Sequence, residues 1–281
     1  SKKQSLTDYI SMELGKSQPG DTVFIPNGIY TDICLELKAK GKENQLIVVM
    51  AETPGKVILK GASTLRVAGE FIEVNGLYFC EGYSPKGAVI EYRVGDDVAN
   101  SCRITNCAIE YYNPIDRSTS YAWIVFYGRN NRFDHNVVLG KQHAEATIVV
   151  ALDEERNQQN YHRIDHNYFG VRPNYGSNGG ETMRIGNSQY AHTSSYTQIE
   201  DNYFEHCSGE VEIISIKSAD NIIRRNTFYE CEGSVVLRHG KRNTVARNMF
   251  IGNGKPHTGG VRIINASQTV TENYFSSLRG N

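Results

Sequence analysis

The sequence predicts an all-β chain wound as a right-handed parallel β-helix, with a short helix capping its N-terminal end. Three observations carry this reading. A phrase ending in Asn recurs along the chain, its spacing suits one solenoid coil, and the composition is rich in turn-formers.

In each recurrence a few strand-forming residues lead into Asn, which an aromatic or aliphatic residue follows closely. Arg163-Ile-Asp-His-Asn167-Tyr-Phe and Gln198-Ile-Glu-Asp-Asn202-Tyr-Phe are typical. The asparagines are Asn75, Asn106, Asn136, Asn167, Asn202, Asn226, Asn248 and Asn273, at intervals of 31, 30, 31, 35, 24, 22 and 25 residues. A repeat of that length with no helical periodicity describes a β-solenoid, whose coils stack about 4.8 Å apart into parallel sheets. The Asn is expected to take a left-handed bend and to bond its side-chain amide to the next coil. The Phe, Tyr or Met after it is expected to stack inside the tube. Leucine-rich repeats need a denser leucine grid and propellers need about 40 or more residues per blade, so neither fits.

Composition agrees. Hydrophobic residues are 39% of the 281, below the usual globular share, yet the net charge is only −1. The polar excess is Asn, Ser, Thr and the 26 glycines, which turn a chain rather than swell it. Thirty basic residues against 31 acidic ones set up no global field, so a polyanion must be held by a local basic strip and nothing points to nucleic acid. No apolar run reaches the roughly 18 residues of a membrane-spanning helix. Ser1-Lys2-Lys3-Gln4 is not a signal peptide, and a start just after a removed one is expected.

The stretch from Leu6 to Asp21 reads as a capping helix followed by the first coil, covering the apolar end of the tube. One β-helix domain is expected over 1–281, with either further coils missing beyond Asn281 or an unprotected C-terminal end. Cys80, Cys207 and Cys231 each lie five residues after a repeat Asn and are expected in one interior rung as buried thiols. A Cys207–Cys231 disulfide is geometrically open to adjacent coils but not expected.

Charge breaks the pattern in one region. Lys217, Arg238 and Arg262 fall nine, ten and eleven residues before successive repeat asparagines, nearly one position in three coils. Like charges that close are costly unless an anion sits among them. Just upstream, Glu210 and Glu212 alternate and so share one side of a strand. With an amide oxygen from the preceding coil, near Asn178, they make a hard-oxygen set suited to Ca²⁺, with positions open for a substrate carboxylate. The alternative is that the glutamates merely form surface ion pairs with Lys217 and Arg184.

Three segments resemble polysaccharide lyase family six, the alginate lyases and the dermatan-cleaving chondroitinase B. They are Asn178-Gly-Gly-Glu-Thr-Met-Arg-Ile-Gly186, Ser208-Gly-Glu-Val-Glu-Ile-Ile-Ser-Ile-Lys-Ser218 and Gly233-Ser-Val-Val-Leu-Arg-His-Gly240. Weaker likeness at Gln18–Pro26 and Gly55–Gly61 extends it over nearly the whole chain. The resemblance implies Lys217 as Brønsted base and Arg238 as Brønsted acid. It implies Asn178, Glu210 and Glu212 as calcium ligands, and Arg184, His239 and Arg262 as substrate contacts. The Asn-Gly-Gly-Glu form is more like the alginate-acting members. An alginate lyase working by Ca²⁺-assisted β-elimination on an acidic polysaccharide, secreted or periplasmic, is therefore expected.

In that chemistry Lys217 must be neutral to take a proton, and nearby cations are expected to lower its pKa. Arg238 is a poor formal acid and reads better as an electrostatic stabiliser. His239 is either the proton donor or a structural residue at the turn of Gly240. A dermatan sulfate lyase is the near alternative. A hydrolase on the same solenoid needs paired acids, for which only Asp96-Asp97 and Asp153-Glu154-Glu155 offer themselves. A non-catalytic carbohydrate binder would use aromatic platforms such as Trp123, Tyr127 and Tyr111-Tyr112.

Overall fold

The computed structural model describes residues 5–280. Short strands of successive coils pair in parallel register into two ten-stranded sheets and one eleven-stranded sheet, giving the expected parallel β-helix. Each central coil runs through the first sheet, turns at the repeat Asn, and enters the second sheet. A loop then leads to the third sheet. The changing period lives in that loop. It spans 170–182 after Tyr168–Phe169, but only 230–232 between Thr227–Tyr229 and Gly233–His239.

Five of the repeat asparagines, Asn136, Asn167, Asn202, Asn226 and Asn248, are buried. Each backbone N–H from Asn136 to Asn248 donates to the side-chain oxygen of the next coil's Asn at 2.9–3.0 Å. The ladder therefore satisfies polar groups that the tight turn would strand in the core. The left-handed residue is the one before Asn: His135, His166, Asp201, Arg225, Arg247 and Glu272 have φ of 53–58°. That placement frees the Asn backbone to continue into the next strand. Two of the eight asparagines are out of phase. Asn75 pairs with Thr105 within the first sheet, and Asn106 itself occupies the left-handed position, leaving the Cys107 N–H to donate the ladder bond to Asn136 Oδ1.

Alternation decides which side chain goes inside. Phe169, Phe204, Phe228, Phe250 and Phe275, two residues after each Asn, stack with centroids 4.6–5.1 Å apart. The residue directly after Asn points outward instead, which corrects the expectation for Tyr203, Met249 and Tyr274. Cys207 and Cys231 do share a rung and remain free thiols, the Cys207 N–H lying 3.4 Å from Cys231 Sγ. Cys80 does not join them: because Asn75 is displaced by two residues, Cys80 pairs beside Glu110.

The helix Leu6–Lys16 covers the N-terminal end, burying Ile10 and Leu14, and Ser5 Oγ caps it by accepting the Asp8 N–H. In the last described coil Phe275 and Ile263 are exposed. Among the described residues no helix is long and apolar enough to cross a membrane.

Candidate functional site

The candidate residues converge where the third sheet meets its loops. Strands Met183–Gly186, Glu212–Lys217, Gly233–His239 and Thr258–Ile263 lie side by side there. A column of glycines lets the loop segments close on one another. A Cβ on Gly180 would stand 2.4 Å from the Gly209 carbonyl, and one on Gly209 would stand 2.0 Å from that of Gly180. Only glycine permits that approach, which brings Glu181 and Glu210 together.

The register departs from the sequence expectation. Lys217 pairs with His239, not Arg238, because an extra residue on Gly233–His239 shifts the pairing after Ile216–Leu237. Arg262 pairs with Val236. The three cations therefore do not form one row. Arg238 donates to Glu212 at 3.0 Å, while Arg184 pairs with Glu145 and lies 3.8 Å from Glu181. The side chains of Lys217 and Arg262 make no hydrogen bond or ion pair among the described residues. Two uncommitted cations thus flank two committed ones. The Glu210 and Glu212 pairing with Lys217 and Arg184 weighed from the sequence does not occur.

His239 Nε2 sits 3.1 Å from Ser188 Oγ. Burial and the charges of Arg238 and Lys217 hold its imidazole below the ordinary histidine range, so it is neutral at neutral pH. That disfavours an imidazolium acid at this position.

The carboxylates are crowded. Glu212 and Glu181 are buried, and Glu181 Oε2 has no hydrogen-bond partner. Burial, the hydrogen bond and charge of Glu181, and the charge of Glu212 push the Glu210 carboxyl up to about 7. The Gly179 N–H reaches Glu210 Oε1 at 3.4 Å, which ties this carboxylate to the loop of Asn178. Asn178 is exposed and makes no bond of its own among the described residues. No three His, Cys, Asp or Glu side chains among the described residues stand in ligand geometry for a metal. The donor set nevertheless fits a hard cation: every candidate donor is oxygen, one buried carboxylate oxygen is orphaned, and Glu210 has no ion pair among the described residues.

A groove of about 440 Å³ runs from Glu210 and Val211 past Glu232 and Ser234 to His257 and Arg262. A second, of about 340 Å³, joins Glu210 to Asn178 and Ser177. They share Asn174, Glu210 and Val211, so together they form a trench across several coils. The rival sites do not assemble. Trp123 and Tyr112 are fully buried, Asp97 pairs with Lys38, and Glu154 pairs with Arg156. Sequence reasoning missed Glu145 and Glu181, although Glu181 lies within the first of the quoted motifs.

The Chondroitinase B family matches residues 5–281. The chain belongs to that family. Among solved structures, this chondroitinase B family chain is similar to a family 6 alginate lyase, AlyGC, at 48% identity and a TM-score of 0.95, over 96% of this chain and 38% of that one. A mannuronic acid specific family 6 lyase from human gut microbiota matches at 37% identity and a TM-score of 0.92, over 97% of this chain and 63% of that one. A family 6 alginate lyase solved with a trisaccharide matches at 28% identity and a TM-score of 0.87, over 100% and 58%. The chain thus spans less than two thirds of each. A search of curated proteins finds no match.

Proposed function

We propose that this chain carries the active site of a lyase that cleaves an alginate-type uronate polysaccharide by β-elimination. The carrying observation is the uncommitted Lys217, paired in register with neutral His239 and next to Arg238, at the edge of an under-neutralised carboxylate cluster. Family membership and the alginate lyases among its relatives support the reaction class and the substrate.

In this reading a run of uronate residues lies in the trench, where Arg262 meets it, and over the neighbouring strand face, where Arg184 and His239 do. Lys217 Nζ, as the neutral amine, takes the C5 proton. The electron pair left behind forms the C4–C5 double bond and expels the C4 oxygen. Arg238 stabilises the departing oxygen as negative charge grows on it. Asn178, Glu210 and Glu212, with Glu181 beside them, would hold Ca²⁺. Bound there, the ion would neutralise the uronate carboxylate and make the C5 proton more acidic. An acidic polysaccharide of this kind lies outside the cell, so secretion or a periplasmic location accompanies the proposal.

The test is absorbance near the ultraviolet edge during digestion of mannuronate-rich, guluronate-rich and alternating alginates, dermatan sulfate and pectate. A rise on alginate supports the proposal. A rise on dermatan sulfate alone would move the substrate to that of the family's namesake. New reducing ends without the absorbance would mean hydrolysis and overturn the lyase reading.

A further inference from the structure

Outside the residues already given roles, two buried cations stand out. Lys141 is 1% exposed and Arg172 is 3% exposed, and neither is ion-paired among the described residues. Their acceptors are almost all backbone carbonyls. Lys141 Nζ donates to His143, Ala144 and Glu145 at 2.7–2.9 Å. Three acceptors require all three N–H donors, so this geometry is that of the ammonium, although burial pushes it toward the neutral amine. Arg172 donates to the carbonyls of His143, Glu145, Gly179 and Glu181 and to Thr147 Oγ1. Two charges thus tie together two loops of adjacent coils, one carrying Glu145 and the other Glu181.

Both cations meet at the Glu145 carbonyl, 2.7 Å from Lys141 and 2.8 Å from Arg172. Glu145 has φ of 84°, whereas every other non-glycine residue with positive φ among those described lies between 46° and 65°. Its backbone is therefore held where L residues rarely go, a sign that its surroundings over-determine it. Its carboxylate accepts the Ala146 N–H at 2.9 Å and binds Arg184 Nη1. The Arg184 contacts to Glu145 and Glu181 both use Nη1, which leaves Nε and Nη2 uncommitted.

We propose that Glu145, locked by Lys141 and Arg172, is a positioning residue that aims the free edge of the Arg184 guanidinium at a substrate carboxylate. This rests on the lyase reading, because it needs a uronate for Arg184 to meet. Glu145 acts through Arg184 and touches no reacting atom. Without it the guanidinium is free to swing toward Glu181, which lies 3.8 Å away.

The test is a double-mutant cycle of Glu145→Gln and Arg184→Ala, with KM and kcat measured on alginate and thermal midpoints recorded. Glu145→Gln should raise KM about tenfold, as for a charge-assisted hydrogen bond lost, with kcat within about threefold of wild type. In the Arg184→Ala background the same change should do nothing further, since residues acting as a unit are non-additive. Lys141→Met should lower the thermal midpoint and raise KM in the same Arg184-dependent way. Should Lys141→Met fail to fold, Glu145→Gln still decides, because its side chain is partly exposed. An unchanged KM, or independent effects that multiply in the double variant, overturns the positioning role alone. A folded wild type that cleaves no uronate polysaccharide overturns the lyase reading and this inference with it.

Discussion

Glu210 makes the metal proposal testable without any turnover. Its carboxyl is raised from 4.5 to about 7 by burial and by Glu181 and Glu212. Between those two values the folded chain holds a proton that the unfolded chain has released. Stability is therefore lost as pH rises through that window, and the full penalty stands above pH 7. At 1.36 kcal/mol per pH unit the shift would amount to a little over 3 kcal/mol. Glu210 is only half-buried, and solvent screening reduces this to about 1–2 kcal/mol.

Glu210→Gln removes that charge. In chelator at pH 8 the variant should melt about 2–5 °C above wild type, and near pH 4.5 the difference should vanish. Calcium reverses the order. A saturating excess of about 100 Kd stabilises a competent site by about 2.7 kcal/mol, several degrees for a chain of this size. Wild type should show that gain at pH 8 and much less at pH 5.5, where Glu210 is protonated, whereas Glu210→Gln should show little at either pH. Scanning calorimetry with and without calcium reads all of this. A Glu210→Gln chain that is less stable than wild type in chelator at pH 8, or that gains as much from calcium, would refute the reasoning.

Lys217→Ala and Arg238→Ala should each leave less than a tenth of wild-type turnover with the β-structure intact by circular dichroism. More activity than that in either removes the role assigned to it. Asn226→Ala deletes the amide that bonds Ile199 O and Asn248 and accepts from Asn202. Stranding those buried groups should destabilise by about 2–4 kcal/mol, seen in denaturant melts, because each unmet group costs about 1–3 kcal/mol. Raising salt should increase KM more steeply than it lowers kcat, since exposed Arg262 is screened beyond roughly 8 Å at physiological ionic strength. A KM indifferent to salt would place polymer recognition elsewhere.

The fold was legible because a solenoid writes its period into the sequence. Six of the eight asparagines occupy the buried ladder, and the stacked phenylalanines follow at a fixed offset. What a period cannot carry is phase. Asn75 and Asn106 look like ladder members but sit two and one residues early, and Cys80 was misplaced with them. The clamp was within reach by the same count that singled out the cysteines. Lys141 and Arg172 lie five residues after Asn136 and Asn167, in the rung position that Cys207 and Cys231 fill later, and Arg172 bridges to Cys207. Cations in an interior rung signal carbonyl acceptors and hence organised loops. Glu145 gave no such signal, since its role depends on a loop conformation that no periodicity encodes.

The misjudged row of cations shows what the extra residue achieves. In an unbroken register Arg238 would pair with Lys217 about 4.8 Å away, a repulsion of roughly 1–3 kcal/mol at effective dielectrics between those of water and a protein surface. The shift after Leu237 removes Arg238 from that row and sets His239 beside Lys217. Partial burial and the charges of Arg238 and Lys217 hold the imidazole below the ordinary histidine range, so Lys217 has a weakly basic neighbour in place of a second cation. Arg238 meets Glu212, which lies one irregular pairing before Ile214 on the adjacent strand. The extra residue on Glu212–Lys217 precedes the stretch Ile214–Ile216, and the extra residue on Gly233–His239 follows its partner stretch. Each strand carries one insertion, so the two offsets cancel across this pair, and the next pairing has its own shift between Gly233 and Val235. Between the two insertions a regular three-residue core, Ile214–Ile216 against Val235–Leu237, stays packed, while the proposed site residues fall at both ends. Deleting Arg238, the extra residue of Gly233–His239, would leave His239 beside Lys217 but remove the cation that meets Glu212.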